Sequence, residues 1–334
     1  MTRKSLVITV LTVASITNVV LIFHTINLPS GRVTSLSSSA DNKQISSFEV
    51  SDVRLDLGDQ ELAALRSLNH NLTEQLELQK SLVSFLLQEI INNHNFSYIH
   101  NPLETCSSGN IEVLFVIPSA PANFEYRDKV RNGSRGSYTQ DFNNHAKLLF
   151  FLGDPEFNAS NETDKNVQLK INEEALKYKD IVQERFEDCY KNMRLKAVSM
   201  LKWASTYCEL AQYVIRTDDD VQVNPNRLVA ALHRKSLVHS DFILGSIVSK
   251  WEPIRDKKNK YFLSEEEYPY STLPPFVLGG LLGYPISTVK LLYQAALRTK
   301  PLWLDDVFIT AICASKVHVP LVDDPDFSFK HWAW

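Results

Sequence analysis

Residues 213–224 read YVIRTDDDVQVN, an apolar β-type run that ends in three consecutive aspartates. Val214 and Ile215, after Tyr213, suit a buried strand, and Asp218, Asp219 and Asp220 fall where that strand would emerge. Side chains alternate along an extended chain, so Asp218 and Asp220 share one face and Asp219 takes the other. Three adjacent carboxylates at the end of a buried strand repel one another and lose hydration unless a cation or strong donors neutralise them. Carboxylate oxygens suit a hard divalent ion such as Mg²⁺ or Mn²⁺, which leaves positions open for phosphate oxygens. A solvated acidic turn is the plain alternative. An EF-hand calcium loop is excluded, because counting from Asp218 puts Val223 at the obligate glycine and Val229 at the closing glutamate. A strand running straight into the acidic cluster matches the open α/β layout, where ligands gather at the carboxyl ends of strands.

Upstream, residues 111–118 (IEVLFVIP) and 147–152 (KLLFFL) are strand candidates, the second stopped by Gly153-Asp154-Pro155. Helices are expected over 124–131, 173–180 and 192–207, the last leading into the Tyr213 strand. Downstream, residues 242–248 form a further strand candidate. Residues 250–275 form a long polar and aromatic loop of the kind that is functional or disordered, and its tyrosines argue against disorder. Gly279, Gly280 and Gly283 permit close backbone approach without forming a phosphate-binding fingerprint. A second acidic pair, Asp305-Asp306, precedes a helical stretch over 308–316. Alternating strands and helices predict an α/β domain with a mostly parallel central sheet.

The first hundred residues are organised differently. Arg3 and Lys4 precede an uncharged run over 6–28, long enough to cross a bilayer, and the flanking charge keeps the short N-terminal side cytosolic. The expected plan is a cytosolic tail over 1–5, a transmembrane signal anchor over 6–28, a stem over 29–105 and a lumenal domain over 106–334. Within the stem, Leu62, Leu65, Asn69, Leu72, Leu76, Gln79, Val83, Leu86 and Ile90 follow alternating three- and four-residue steps. A coiled coil over 60–91 with a second copy, its register fixed by Asn69, is one reading; an amphipathic helix lying on the body is the other. Sequons at Asn71, Asn95, Asn132, Asn158 and Asn161 agree with a lumenal body. Four scattered cysteines without CxxC spacing exclude a zinc finger and permit two disulfides, with three pairings open. A net charge of −4 and the lack of a basic stripe point away from nucleic acid.

Several separate pieces together resemble the Golgi β1,3-galactosyltransferase and β1,3-N-acetylglucosaminyltransferase family. They are PSAPANFEYRDKVR from 118, FFLG from 150, EALKYKDIVQERFEDCYKNMRLKAVSMLKW from 174, YVIRTDDDVQVN, PIRDKKNKYFLSEEEYPY from 253 and LDDVFITAIC from 304. The resemblance covers about 112–332. It implies a GT-A-like nucleotide-sugar fold, a UDP-sugar donor, Mn²⁺ or Mg²⁺, and inverting transfer of galactose or N-acetylglucosamine to a glycan on protein or lipid. It implies metal ligation by Asp218 and Asp220, with Asp219 beside the donor, and a base at Asp306 next to Asp305. Arg127 and Arg131 match the first motif, where the diphosphate is one role and a helix-surface charge the other. Arg255 and Lys260 match a loop near the sugars, and Trp251 is a candidate sugar platform or loop anchor. Cys208 and Cys313 match positions of structural disulfides.

The sequence also departs from the family. Ser134 stands where a tryptophan is usual and Asp305 replaces a glutamate, and where the family carries a later histidine His331 is the candidate replacement metal ligand, a satisfied C-terminal histidine being the other reading. Those departures motivate the alternative of an inactive lumenal relative that partners an active transferase.

Overall fold

The computed structural model describes residues 7–15, 18–26, 33–37, 49–53, 59–107, 109–155 and 162–328. The chain divides into two units, Met1–Ser84 and Phe85–Trp334. In the first, β1 (Val7–Ser15), β2 (Asn18–Ile26), β3 (Val33–Ser37) and β4 (Glu49–Val53) form a sheet in the order β2-β1-β3-β4. Residues 6–28, expected as one membrane-crossing helix, therefore hold an antiparallel pair with Val7 opposite Ile26 and Ser15 opposite Asn18. The run is rich in Val, Ile and Thr, and apolar length alone does not separate a helix from two β-branched strands. No helix among the described residues is long and apolar enough to cross a membrane. Helix α1 (Asp59–Leu86) follows, and it stops short of Ile90, the last expected seam position.

The second unit is built on an eight-stranded sheet. Its strands are β5 (Tyr98–His100), β6 (Val113–Pro118), β7 (Ala146–Asp154), β8 (Ile181–Glu187), β9 (Tyr213–Thr217), β10 (Ile243–Val248), β11 (Phe276–Pro285) and β12 (Leu321–Val322). They lie in the order β12-β10-β11-β9-β6-β7-β8-β5. The four central strands β9, β6, β7 and β8 are parallel, as expected. Beyond them the sheet is mixed: β11 runs antiparallel to both β9 and β10, and β5 antiparallel to β8. Every residue of β6 is buried, as a strand covered on both faces must be. Covering helices include α2 (Phe124–Asn132), α3 (Ser134–Gln140), α4 (Glu162–Tyr178), α5 (Met193–Tyr207), α6 (Pro225–Ser236) and α7 (Ile286–Arg298). The start of α6 is set locally: Pro225 fills its first turn and the Asn224 side chain accepts from the Arg227 N–H at 3.3 Å. Its buried Leu228 and Leu232 then join Phe115, Ile215, Phe242 and Phe327 in one core.

Two strands escape the sequence pattern for identifiable reasons. β8 buries Gln183 and Glu184, which break its apolar run. They are tolerated because Gln183 bonds Gln168 and the Gly153 carbonyl, while Glu184 meets His94 and Lys202. β11 carries three glycines, expected to permit close backbone approach, and at Gly279 and Gly283 neighbouring side chains do come close. A Cβ on Gly283 would lie 3.0 Å from the Phe327 ring, so the ring would have to give way by a few tenths of an ångström. Among the cysteines, Cys106 and Cys208 form a disulfide, while Cys189 and the buried Cys313 are free. The expectation of a disulfide at Cys313 is thus corrected: burial pushes its thiol pKa up, leaving an inert core sulfur.

Candidate active site

β9 delivers the acidic triplet at the carboxyl end of the parallel strands, and the three aspartates have three different environments. Asp219 is buried and receives hydrogen bonds from Ser119 Oγ (2.7 Å) and Asn123 Nδ2 (3.0 Å), both just beyond β6. Asp220 is exposed. Asp218 lines a cleft, and its Oδ1 is out of solvent with no hydrogen-bond partner. Burial pushes its carboxyl up to about 6, opposed by Arg216 and reinforced by Asp305, Asp220 and Asp219. An ionised oxygen in that position lacks compensation, and a cation shared with Asp220 would supply it.

The second acidic pair reaches the same cleft from the other side. Residues 307–313 form a π-helical segment, capped by the Asp306 side chain accepting from the Val307 N–H at 2.8 Å. Such wide turns recur at functional sites. Burial, then the neighbouring Asp305 charge, pushes the Asp306 carboxyl up to about 6. Asp305 Oδ2 lies 2.6 Å from Arg216 Nη2, a close ion pair without hydrogen-bond alignment. Although burial disfavours its charge, Asp305 and Asp218 hold the Arg216 guanidinium above its ordinary pKa. Gly279 of β11 leaves room for this meeting, since a Cβ there would stand 3.2 Å from Arg216 Nη2 and 3.3 Å from Asp306 Cβ.

Asp218, Asp305 and Asp306 thus line one cleft of about 420 Å³, walled by Tyr190, Tyr261, Trp251 and Trp303. Trp251 lines the cleft half exposed and packs on Phe276 with ring centroids 6.2 Å apart. Burial, then Tyr261 and the charges of Asp305 and Asp306, pushes the Tyr190 phenol up and keeps it protonated.

Other expected donor-binding residues are placed elsewhere. Arg127 is fully buried and forked onto Glu174, with further bonds to Ser119 Oγ and the Ala120 and Pro121 carbonyls. It is therefore neither a surface charge nor a cleft residue; it braces Ser119, which holds Asp219. Arg131 is bound by Glu174 and Asp180 and lines a separate cavity with Ala146 and Ile181, the first residues of β7 and β8. That is the amino end of the parallel strands, opposite the cleft. Arg255 donates to the carbonyls of Leu263, Tyr268 and Tyr270, so its guanidinium ties the 250–275 loop together. Lys260 sits over the Tyr261 ring at 4.6 Å. His331 lies outside the described residues, as do Asn158 and Asn161.

Three residues were missed by sequence reasoning. Arg135 is buried behind the triplet, donating to Thr217 Oγ1 and to the Asp218 carbonyl at 2.8 Å. Burial brings its guanidinium down to about 10 despite the nearby aspartates. Beside it, Ser134 replaces the expected tryptophan and donates to the Val223 carbonyl at 2.7 Å, joining this loop to the acidic stretch. Arg216 carried a legible signal, since a charge inside an otherwise apolar strand needs a buried partner. Tyr190 had none.

The galactosyltransferase family matches residues 127–325. The Homo sapiens lactosylceramide 1,3-N-acetyl-beta-D-glucosaminyltransferase is 30% identical over 237 residues, covering 70% of this chain and 61% of the relative. Mus musculus beta-1,3-galactosyltransferase 2 is 29% identical over 245 residues, covering 72% and 56%. Mus musculus beta-1,3-galactosyltransferase 1 is 27% identical over 242 residues, covering 72% and 71%. This chain therefore spans about six tenths of the length of the first two relatives. The family match takes in both acidic clusters and more than half of the sequence: the chain belongs to the galactosyltransferase family.

Proposed function

We propose that this chain transfers a hexose, galactose or N-acetylglucosamine, from a UDP-sugar to a hydroxyl of a glycan acceptor with inversion, forming a β1,3 link. The single observation that supports the reading best is that Asp218 and Asp306, from clusters 88 positions apart, face one cleft. Inversion in one displacement needs a carboxylate to take the proton of the attacking hydroxyl. Asp306 is suited to it, being poised near neutrality and held by its own cap to the Val307 N–H. Asp305 beside it is engaged by Arg216 at 2.6 Å. The proximity of the two roles follows from β9 and the π-helical segment meeting over Gly279.

No cluster of three His, Cys, Asp or Glu side chains suited to an ion occurs among the described residues. Mg²⁺ and Mn²⁺ do not need one, because one or two carboxylates plus substrate phosphates suffice. The unpartnered Asp218 Oδ1 fits such an ion, with exposed Asp220 as the second ligand. Bound there, the ion would neutralise charge on the departing diphosphate. Asp219 is committed to Ser119 and Asn123 and only positions the triplet.

The same proposal places the protein in the Golgi lumen, held by the 6–28 run. The disulfide and the exposed asparagines Asn71, Asn95 and Asn132 support an oxidising, glycosylating compartment. Inside a bilayer the run would be helical, since the open edge of a sheet cannot be satisfied there. The test is transfer from UDP-galactose and UDP-N-acetylglucosamine to a panel of glycan acceptors, with and without Mn²⁺. Transfer that survives Asp306→Asn unchanged, or no transfer from either donor, overturns the reading.

A further inference from the structure

Helix α1 is 28 residues long, and no side chain between Ala63 and Ser84 is buried. Helices in proteins owe most of their stability to packing an apolar face rather than to intrinsic propensity. Along its apolar seam Val83 is exposed by 55%, and Leu65, Leu72 and Leu76 are half-buried. We propose that α1 pairs with α1 of a second copy of this chain, parallel and in register, as a two-stranded coiled coil.

The occupant follows from the polar members of the seam. With heptad a positions at 62, 69, 76 and 83 and d positions at 65, 72 and 79, two of the seven are Asn69 and Gln79. An apolar groove or a lipid surface would strip both amides of water and offer no hydrogen bond in return. A second identical helix in register meets Asn69 with Asn69 and Gln79 with Gln79, each amide both donating and accepting. Asn at an a position specifies this register and favours two strands. An antiparallel pair would set Asn69 against Gln79 and so also match amide with amide. It would, however, bring the e-position cations Arg66 and Lys80 together on one flank, which the parallel arrangement avoids. The sequon at Asn71 falls at c, away from the seam, so a glycan there is compatible with pairing. The inference is independent of the transfer reaction.

The test uses the full chain in a Cys189→Ser background, which removes the partly exposed free thiol. Mild oxidation of Asn69→Cys is expected to give mostly covalent dimer, whereas His70→Cys, at b, gives none. The unmodified chain is expected to sediment as a dimer at micromolar concentration. Leu72→Lys, at d, is expected to weaken that dimer about a hundredfold or more, since each copy loses a core leucine. A monomeric parent, no cross-link in the Asn69→Cys chain, or cross-linking only in mixtures of Asn69→Cys with Gln79→Cys chains overturns the proposal.

Discussion

Arg216 Nη2 stands 2.6 Å from Asp305 Oδ2, so one buried guanidinium joins the strand carrying the acidic triplet to the segment carrying Asp306. Neither group can be removed singly without leaving a charge uncompensated. Asp305→Asn should therefore destabilise the fold by about 3 kcal/mol, the lower end for breaking a buried pair, because Asp305 is partly solvated. Arg216→Met with Asp305→Leu should recover much of that loss. Urea unfolding of the parent and the two variants measures it, and a cost below about 0.5 kcal/mol would mean the pair is no more than a surface contact.

Asp306 carries the pH prediction. Its carboxyl is pushed up to about 6, by burial first and then by Asp305, and a base works only when ionised. kcat/KM should fall tenfold per pH unit below about 6 and level off above it. Neutralising its neighbour by Asp305→Asn should move that limb to lower pH. Asp306→Asn should lower kcat by about 10² to 10⁴ and lose the limb altogether. The linkage sign is opposite for stability. A raised folded pKa favours the fold while the group is protonated, and the benefit fades as pH rises through 6. The unliganded Asp306→Asn chain should hence be more stable than the parent at pH 7 and equal to it at pH 4.

The sequence displayed the strand that feeds Asp218 and the existence of two acidic sites, because an apolar run ending in charge is a local pattern. It did not display what the arginines do. Arg127 and Arg131 lie on one helix at i and i+4, and only the arrival of Glu174 and Asp180 from α4 and the chain after it turns them inward. Nor could β8 be seen, since Gln183 and Glu184 are satisfied by residues far along the chain. Local pattern reads hydrophobic burial well and buried polar networks poorly, because the partners that make such burial affordable are non-local. The apolar 6–28 run shows a further limit, as β-branched content suits either a spanning helix or paired strands.

Gly279 tests whether the meeting of the two clusters matters for turnover. An added methyl would crowd Arg216 and Asp306 at 3.2 and 3.3 Å, close enough to displace them by a few tenths of an ångström without unfolding β11. Gly279→Ala should retain the parent's thermal transition within a few degrees while kcat falls about tenfold or more, as misplacement of reacting groups costs rate steeply. An unchanged kcat would show that Asp306 does not need its observed position.

Glu174 should set much of the acid sensitivity of the fold. Burial alone would raise its pKa, but hydrogen bonds and charge from Arg127, then Arg131, outweigh burial and hold it below 4.5. A depressed carboxyl contributes stability that is full above its unfolded value and is lost as pH falls through the folded value. The parent should therefore lose stability progressively below pH 4.5, and Glu174→Gln should flatten that limb. At pH 7 the variant leaves Arg127 without its counter-ion, while Arg131 keeps Asp180 at 2.7 Å. The expected cost is about 3 to 5 kcal/mol, typical of a stranded buried charge. Since Arg127 also donates to Ser119 Oγ, which in turn bonds Asp219, the loss should spread to the triplet. Donor KM should rise in Glu174→Gln and be rescued by Glu174→Asp only if the shorter carboxylate still reaches the fork. Parallel measurement of unfolding free energy against pH and of donor KM separates a purely structural ion pair from one that also holds the site in shape.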